Sequence, residues 1–245
     1  MNGLGIVAAL AAETRPLGRA LPRGEALATL ADGTLLVVSG MGRAAAEQGA
    51  RRLLAAGAEA LLSWGMAGGL DPALGAGTLV LPSEVVSAEG GHFFTAGHWR
   101  EHVRAALAHG QPVCCGRLLS CREVIGTAAD KARAFRQTRA SAVDMESLAI
   151  AEVAASQRVP FLAVRAIVDT AHDALPASLI DAAAGTGSVR TGRLLGSLAR
   201  TPADIPALVR LARRYRAASR ALTAVAVSGA LVPHAFFRPL SAGSA

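Results

Sequence analysis

Four acidic side chains follow apolar segments that have the composition of buried strands. Glu13 lies just beyond the first such segment, Asp144 and Glu146 follow a brief one, and Asp169 follows the longest. A carboxyl that keeps its proton can act as a general acid, and an ionised carboxylate can stabilise a cationic transition state. Acidic residues near helix starts also favour the helix dipole without taking part in any reaction. The residue types alone leave both interpretations open.

Strands alternating with helices are expected to position these carboxylates. Apolar runs predict strands over residues 3–10, 34–39, 60–64, 78–81, 84–88, 113–120, 140–143 and 160–168. Helical spacing predicts helices over residues 43–56, 99–109, 127–137, 145–156 and 207–222. This order predicts an α/β fold, a three-layer sandwich with a mixed central sheet. Ligands in open α/β sheets bind outside the carboxyl ends of the strands, where the acidic side chains fall.

A glycine-rich segment, Gly65–Gly69, ends the predicted third strand. It is compatible with backbone N–H groups laid against an anion or a sugar, and equally with a tight turn. No Lys-Ser/Thr pair follows it, so it is not a Walker motif. No glycine cluster in the chain begins a convincing dinucleotide fingerprint.

The composition predicts a globular protein, with the excess positive charge at one end. The 245 residues are 52% hydrophobic and 18% charged, which excludes a disordered chain. Three clustered cysteines match neither zinc nor thioredoxin spacing and suit a reducing cytoplasm. Residues 1–189 carry a net charge of −1 and residues 190–245 carry +8. We therefore predict one domain over residues 1–189, which contains the four acidic side chains, and a basic helical extension over residues 190–245.

The extension has two interpretations. Its predicted helix, residues 207–222, is basic and amphipathic, and an apolar run over residues 221–232 follows it. This pattern is typical of an interfacial membrane anchor. The alternative is an ordinary terminal helix that packs on the body of the protein.

Five segments occur in an order and at spacings that resemble the purine nucleoside phosphorylase and methylthioadenosine/S-adenosylhomocysteine nucleosidase superfamily. They are Gly5–Glu13, Ser39–Arg43, Gly65–Leu70, Ala142–Ser147 and Val164–Asp169. The resemblance covers about residues 3–173, and the last two segments are its most specific part. With its basic extension, the chain looks like the hopanoid-biosynthesis-associated nucleosidase/phosphorylases, which are taken to remove adenine from adenosylhopane.

This resemblance implies a role for each of five residues. Glu146 matches the acid that binds the ribose 2′- and 3′-hydroxyls, and Met145 matches the methionine against the sugar face. Asp169 matches the aspartate that donates a proton to purine N7. Glu13 matches the glutamate that positions and deprotonates water, and Arg165 matches an arginine near that glutamate.

Further substrate contacts follow from the same resemblance, with departures from the family pattern. Met66 and Gly68 belong to the glycine-rich segment, where the nucleosidases carry a serine in place of Met66. Val124 and Ile125 lie where the nucleosidases have an aromatic residue that stacks on the purine. Arg43 is the nearest candidate to replace the phosphate-binding arginines of the bacterial phosphorylases, which are missing from their usual places.

The resemblance therefore implies an enzyme that acts on a small-molecule adenine nucleoside, with a lipid-linked one favoured. Water and phosphate both remain open as the acceptor, and no cofactor or metal is expected. A cytoplasmic homo-oligomer is implied, with peripheral membrane contact through the extension and no nucleic-acid partner. The alternatives are an ordinary methylthioadenosine/S-adenosylhomocysteine nucleosidase, or a non-enzymatic module that binds membranes or nucleic acid through its basic end.

Overall fold

The computed structural model describes residues 3–18, 27–175 and 205–232. Within them, eleven strands form one mixed sheet: Leu4–Ala8 (β1), Ala28–Thr29 (β2), Leu35–Val38 (β3), Ala60–Gly69 (β4), Leu79–Val80 (β5), Glu84–Val86 (β6), His92–Phe94 (β7), Val113–Cys114 (β8), Arg117–Ser120 (β9), Ala140–Asp144 (β10) and Phe161–Asp169 (β11). The helices are Arg43–Ala55 (α1), Gly97–Ala105 (α2), Ala128–Thr138 (α3), Ser147–Gln157 (α4) and Ile205–Val227 (α5). A 3₁₀ helix spans Ala11–Leu17.

The sheet is built around β4, its longest strand. One path across the sheet runs β2-β3-β1-β4-β10-β9-β6-β7. β4 pairs in parallel with β1 and with β11, and its glycine-rich end pairs antiparallel with β10. β11 also pairs with β5, which in turn pairs with β8. The parallel strands β3, β1, β4 and β11 therefore end at one edge of the sheet.

Helices cover both faces of this sheet. Along β1, Leu4, Ile6 and Ala8 pack in a core cluster with residues of α2 and α5. Val7 points to the opposite side, into a cluster with residues of α1 and α4. Successive side chains of a strand point to opposite faces, so one strand contributes to both apolar layers. The predicted three-layer α/β sandwich with a mixed central sheet is confirmed.

The glycine-rich segment is a strand, so the prediction that the strand ends before Gly65 is wrong. Residues Arg165 to Ile167 pair in register with Gly65 to Ala67. Glycine at position 65 lets two side chains approach the strand closely. A Cβ at Gly65 would lie 2.5 Å from Glu13 Oε1 and 2.6 Å from Arg165 Nη1. The predicted single strand over residues 113–120 is likewise two strands, β8 and β9.

The C-terminal helix packs on the body of the protein. α5 is longer than predicted, and its Ala218, Leu222 and Val225 are buried in the same cluster as β1 and α2. Beyond it Leu231 is also buried, and its carbonyl accepts a hydrogen bond of 3.1 Å from Trp99 Nε1. These apolar side chains cover the sheet and are not free to enter a membrane. The predicted domain boundary at residues 189 and 190 lies outside the described residues.

Among the described residues, no helix is both long enough and apolar enough to span a bilayer.

Candidate active site

A cavity of about 210 Å³ lies where β1, β10 and β11 end, beside the glycine-rich half of β4. Eight of the ten predicted site residues line it. They are Glu13, Met66, Gly68, Val124, Ile125, Met145, Glu146 and Asp169. The other two lie elsewhere: Arg165 is buried beneath the cavity, and Arg43 lies outside it.

Glu13 is held rigidly on the 3₁₀ helix that follows β1. Its Oε1 accepts a hydrogen bond of 2.8 Å from the backbone N–H of Met66, and its Oε2 accepts one of 3.0 Å from Leu10. Trp64 Nε1 donates to the backbone carbonyl of Glu13 at 2.9 Å, which fixes the short helix over the sheet. Burial raises the pKa of Glu13, and the nearby charge of Arg165 opposes this rise.

Arg165 is a buried counter-ion for the acidic cavity. Its Nε donates to Asp144 Oδ2 at 2.9 Å, and its Nη2 donates to Ser63 Oγ at 2.7 Å and to Ser147 Oγ at 3.2 Å. The guanidinium also lies close to Glu13, because a Cβ at Gly65 would lie near both side chains. A buried arginine is tolerable because these groups satisfy its donors. Arg165 therefore positions carboxylates, and its side chain does not line the cavity.

Glu146 lies at the turn from β10 into α4. Its Oε1 accepts a hydrogen bond of 2.8 Å from the backbone N–H of Gly42, at the start of α1. Gly42 has a φ of +92°, a backbone conformation that glycine adopts readily. Burial and the neighbouring Asp144 raise the pKa of Glu146 to about 7, against the opposing charge of Arg165. Glu146 therefore holds its proton more tightly than an ordinary glutamate.

Asp144 completes the base of the cavity. Its carboxylate accepts a hydrogen bond of 3.2 Å from the backbone N–H of Ser147, in the first turn of α4, as well as the bond from Arg165. The sequence places Asp144 at a strand end and gives it no specific role. Its contacts make it the link between Arg165 and the helix that follows Glu146.

Asp169 ends β11 and faces the cavity next to Gly68. A Cβ at Gly68 would lie 3.3 Å from Asp169 Oδ2, so the glycine leaves room for the carboxyl. Lys131 Nζ binds Asp169 Oδ2 and also donates to the carbonyl oxygens of Thr170 at 2.9 Å and Asp173 at 3.1 Å. Burial raises the pKa of Asp169, and Lys131 opposes the rise.

Lys131 is a residue of this site that the sequence did not predict. Its side chain is fully buried in α3, although its position in an amphipathic pattern gives no indication of this. One signal was available: Lys131 is the single lysine among 25 basic residues.

The remaining wall of the cavity is apolar and unusually rich in methionine. Met41, Met66 and Met145 line it, which is three of the four methionines in the chain. Val124 and Ile125 lie on the same wall, and no aromatic residue is among the described lining residues. Unbranched thioether side chains adapt to ligands of different shape. A ligand here would contact aliphatic and thioether side chains in place of an aromatic ring.

Arg43 does not line the cavity. It lies in the first turn of α1, where its guanidinium forms an ion pair with Glu152 of α4. No group of three or more potential metal ligands of the His, Cys, Asp or Glu type occurs in the part of the chain that the structure describes.

Comparison with known proteins identifies relatives of this fold. The family model described as the phosphorylase superfamily matches residues 4–200. The structure is similar to a 5′-methylthioadenosine/S-adenosylhomocysteine nucleosidase from Neisseria meningitidis in complex with methylthio-immucillin-A, with a TM-score of 0.69 and 19% identity over 93% of this chain and 97% of that one. It is also similar to futalosine hydrolase of Helicobacter pylori, with a TM-score of 0.65 and 17% identity over 91% and 96% of the two chains. At these identities the two structures show a shared fold.

Proposed function

Because the chain belongs to the phosphorylase superfamily, we propose that it cleaves the N-glycosidic bond of an adenine nucleoside and transfers the sugar to water. The observation that carries this proposal is the convergence of Glu13, Glu146 and Asp169 on one small, largely apolar cavity. It is an enzyme of the nucleosidase or nucleoside phosphorylase type.

Each carboxyl suits one part of this reaction. As the bond between C1′ and the purine N9 breaks, positive charge develops on the ribose and negative charge on the base. Asp169 donates its proton to N7, which neutralises the leaving adenine, and such general acid catalysis contributes roughly 10²–10⁴-fold. Ionised Glu146 binds the ribose hydroxyls and stabilises the cationic sugar.

Glu13 activates the water molecule that accepts the sugar. It takes a proton from the water molecule whose oxygen bonds to C1′, so Asp169 ends the reaction ionised and Glu13 ends it protonated. Proton exchange with solvent then resets both groups. Arg165 beneath Glu13 helps to keep Glu13 ionised before the reaction, because its charge opposes the effect of burial on the pKa.

The charges around the cavity favour water over phosphate. The described ionisable residues that line it are all acidic: Glu13, Glu123, Asp144, Glu146 and Asp169. The backbone N–H of Met66, which could otherwise bind an anion, already donates to Glu13. A phosphate dianion would meet like charges in this site. Arg43, the candidate phosphate ligand, is paired with Glu152 instead.

For the 5′ substituent we propose a large apolar group, with adenosylhopane as the favoured substrate. Pockets for drug-sized ligands measure roughly 300–1,000 Å³, so a cavity of about 210 Å³ suits the nucleoside itself. A pentacyclic substituent would have to extend out of the cavity past the methionines. Methylthioadenosine or S-adenosylhomocysteine is the alternative substrate, supported by the similarity to the Neisseria nucleosidase.

A lipid-linked substrate calls for contact with a membrane, and α5 carries a surface suited to it. Arg210, Arg213, Arg216 and Arg220 are exposed, and spacings of three and four residues put them on one side of the helix. We call these four residues the arginine face. Val209 and Val227 are exposed on the same side. Each basic residue near an anionic membrane contributes about 1 kcal/mol. Peripheral binding from the cytoplasm therefore needs no free apolar helix face.

The test compares adenine release from a short, soluble adenine nucleoside with release from a long-chain one carried in anionic vesicles. We expect the full chain to sediment with the vesicles and to be released by high salt. Replacing all four residues of the arginine face with glutamine should weaken vesicle binding at least tenfold. The loss of activity should be confined to the vesicle-borne nucleoside.

A matched variant with lysine at the same four positions keeps the charge and should bind vesicles as the parent does. Equal binding by the glutamine variant would contradict the membrane contact. Release from the short nucleoside alone would favour the methylthioadenosine or S-adenosylhomocysteine alternative. Release from neither nucleoside would contradict the proposed activity.

A further inference from the structure

α5 reaches the active site with two neighbouring side chains that the mechanism above does not use. The guanidinium of Arg214 forms an ion pair with the carboxylate of Asp173. The hydroxyl of Tyr215 donates a hydrogen bond of 3.3 Å to the backbone carbonyl of Ala12. Ala12 directly precedes Glu13, and Asp173 closes the loop that follows Asp169.

The loop behind Asp169 is a closed unit. Asp173 Oδ2 accepts hydrogen bonds from the backbone N–H of Thr170 at 2.9 Å and from its hydroxyl at 2.6 Å. The backbone N–H of Asp173 donates in return to the carbonyl of Thr170 at 3.1 Å. Lys131 holds this loop from the protein interior, and Arg214 holds it from the side of α5.

α5 packs firmly against the core, so it can hold neighbouring segments in place. Its Ala218, Leu222 and Val225 are buried in the core. A Cβ at Gly77 would lie 3.2 Å from Ala217 Cβ, so the helix approaches the turn before β5 closely. The backbone N–H of Gly77 donates to the carbonyl of Ile167, two residues before Asp169.

We propose that α5 is a positioning element for both catalytic carboxyls. Arg214 fixes the loop that follows Asp169, and Tyr215 fixes the 3₁₀ helix that carries Glu13. The extension is then part of the active-site scaffold as well as a candidate membrane surface. The roles of Asp169 and Glu13 in this inference rest on the proposed function, whereas the contacts of α5 do not.

The ion pair also has an electrostatic consequence for the general acid. Burial raises the pKa of Asp169, Lys131 lowers it, and the carboxylate of Asp173 raises it further. Arg214 offsets the charge of Asp173. Removing Arg214 leaves that charge uncompensated, so the pKa of Asp169 should rise further. Because Asp169 must be protonated to act, the alkaline limb of the kcat profile should move to higher pH.

The test uses Arg214→Gln and Arg214→Lys in the full chain, with Arg104→Gln as the matched control. Arg104 forms an exposed ion pair with Glu101 on α2, at 2.7 Å, and neither residue lines the cavity. With a soluble adenine nucleoside, Arg214→Gln should lower kcat roughly three- to tenfold, with KM changed less than about twofold. Its alkaline limb should lie above that of the parent. Arg214→Lys should restore most of the rate. Combining Asp173→Asn with Arg214→Gln should return the alkaline limb of the kcat profile toward its position in the parent.

Tyr215→Phe isolates the second contact, because it removes only the hydroxyl. We expect a smaller decrease in kcat, of about two- to fivefold. Its alkaline limb should not move, since Arg214 and Asp173 are intact.

Backbone amide hydrogen exchange gives a readout that needs no substrate. In Arg214→Gln the amides of residues 170–173 should exchange faster than in the parent and in Arg104→Gln. Unchanged exchange together with an unchanged limb would overturn the proposal. The proposal would also be overturned if Arg214→Gln lowered kcat without moving the alkaline limb and Arg214→Lys did not restore the rate. Arg214 would then have a structural role only. If the parent releases no adenine, the proposed function fails, and the exchange result still decides whether Arg214 holds the loop.

Discussion

Replacing Asp169 with asparagine is expected to lower kcat for an adenine nucleoside by roughly 10²- to 10⁴-fold, the range of general acid catalysis. The amide keeps the shape of the carboxyl but cannot supply its proton to N7 of the leaving base. Adenine binding should fall much less than turnover, because the apolar wall of the cavity is unchanged. Steady-state adenine release and adenine binding by calorimetry measure the two effects.

The buried lysine next to Asp169 requires a second variant. Asparagine leaves the ammonium of Lys131 without its ionic partner, and breaking a buried pair in this way costs about 3–5 kcal/mol of stability. Lys131→Met combined with Asp169→Asn removes the unpaired charge and should recover stability without recovering turnover. Turnover of either folded variant within about threefold of the parent would show that Asp169 is a structural residue.

Replacing Glu146 with glutamine is expected to remove most of the discrimination between ribose and 2′-deoxyribose. A hydrogen bond to a charged acceptor contributes about 1.5–3 kcal/mol, which corresponds to roughly 10- to 150-fold in kcat/KM. The parent should prefer the ribonucleoside by about this factor, and the variant by only a few-fold. Glu123→Gln is the matched control, since Glu123 is an exposed carboxylate that lines the same cavity.

The same variant gives a pH signature. The pKa of Glu146 is raised to about 7, so protonation should reduce kcat/KM of the parent as the pH falls through that value. Glutamine does not titrate, so the part of the acid limb that Glu146 contributes should be lost in Glu146→Gln and kept in Glu123→Gln, while the part due to protonation of Glu13 stays in both. Equal sugar discrimination in the parent and in Glu146→Gln would contradict contact between Glu146 and the ribose hydroxyls.

The position of the carboxyls was predictable because two local rules combine. Apolar runs such as residues 160–168 identify buried strands, and parallel strands bring their carboxyl ends to one edge. Glu13 and Asp169 therefore meet although more than 150 residues separate them, whereas Glu146 reaches the same cavity from β10, which runs antiparallel to β4. The fold class follows from the same alternation of strands and helices.

The residues that hold these carboxyls in place were not predictable, because their contacts join segments that are distant in the sequence. Arg165 binds Ser63 and Asp144, which come from two other strands, and no spacing in the sequence links the three. Lys131 occupies an amphipathic helix, where a lysine ordinarily faces solvent. Glycine usually breaks strands, so the sequence did not predict that β4 continues through Gly65. The reason for the glycine is the close approach of Glu13 and Arg165, which only the structure shows.

The C-terminal helix, too, was predictable only in part. Its amphipathic pattern predicted a helix, but amphipathicity does not reveal whether the apolar side covers protein or lipid. The structure places that side on the sheet, with Arg214 and Tyr215 directed to the active-site segments. The exposed arginine face remains the part of the helix that a membrane could bind.

The central claim is that an acidic cavity hydrolyses an N-glycosidic bond, and the origin of the oxygen on the released sugar tests it most directly. The full chain is incubated with a soluble adenine nucleoside in ¹⁸O-labelled water, with and without inorganic phosphate, and the sugar is analysed by mass spectrometry. We predict free adenine and a sugar that carries the label at C1′, formed at a rate that phosphate does not increase. A sugar 1-phosphate, or release of adenine only when phosphate is present, would contradict the account.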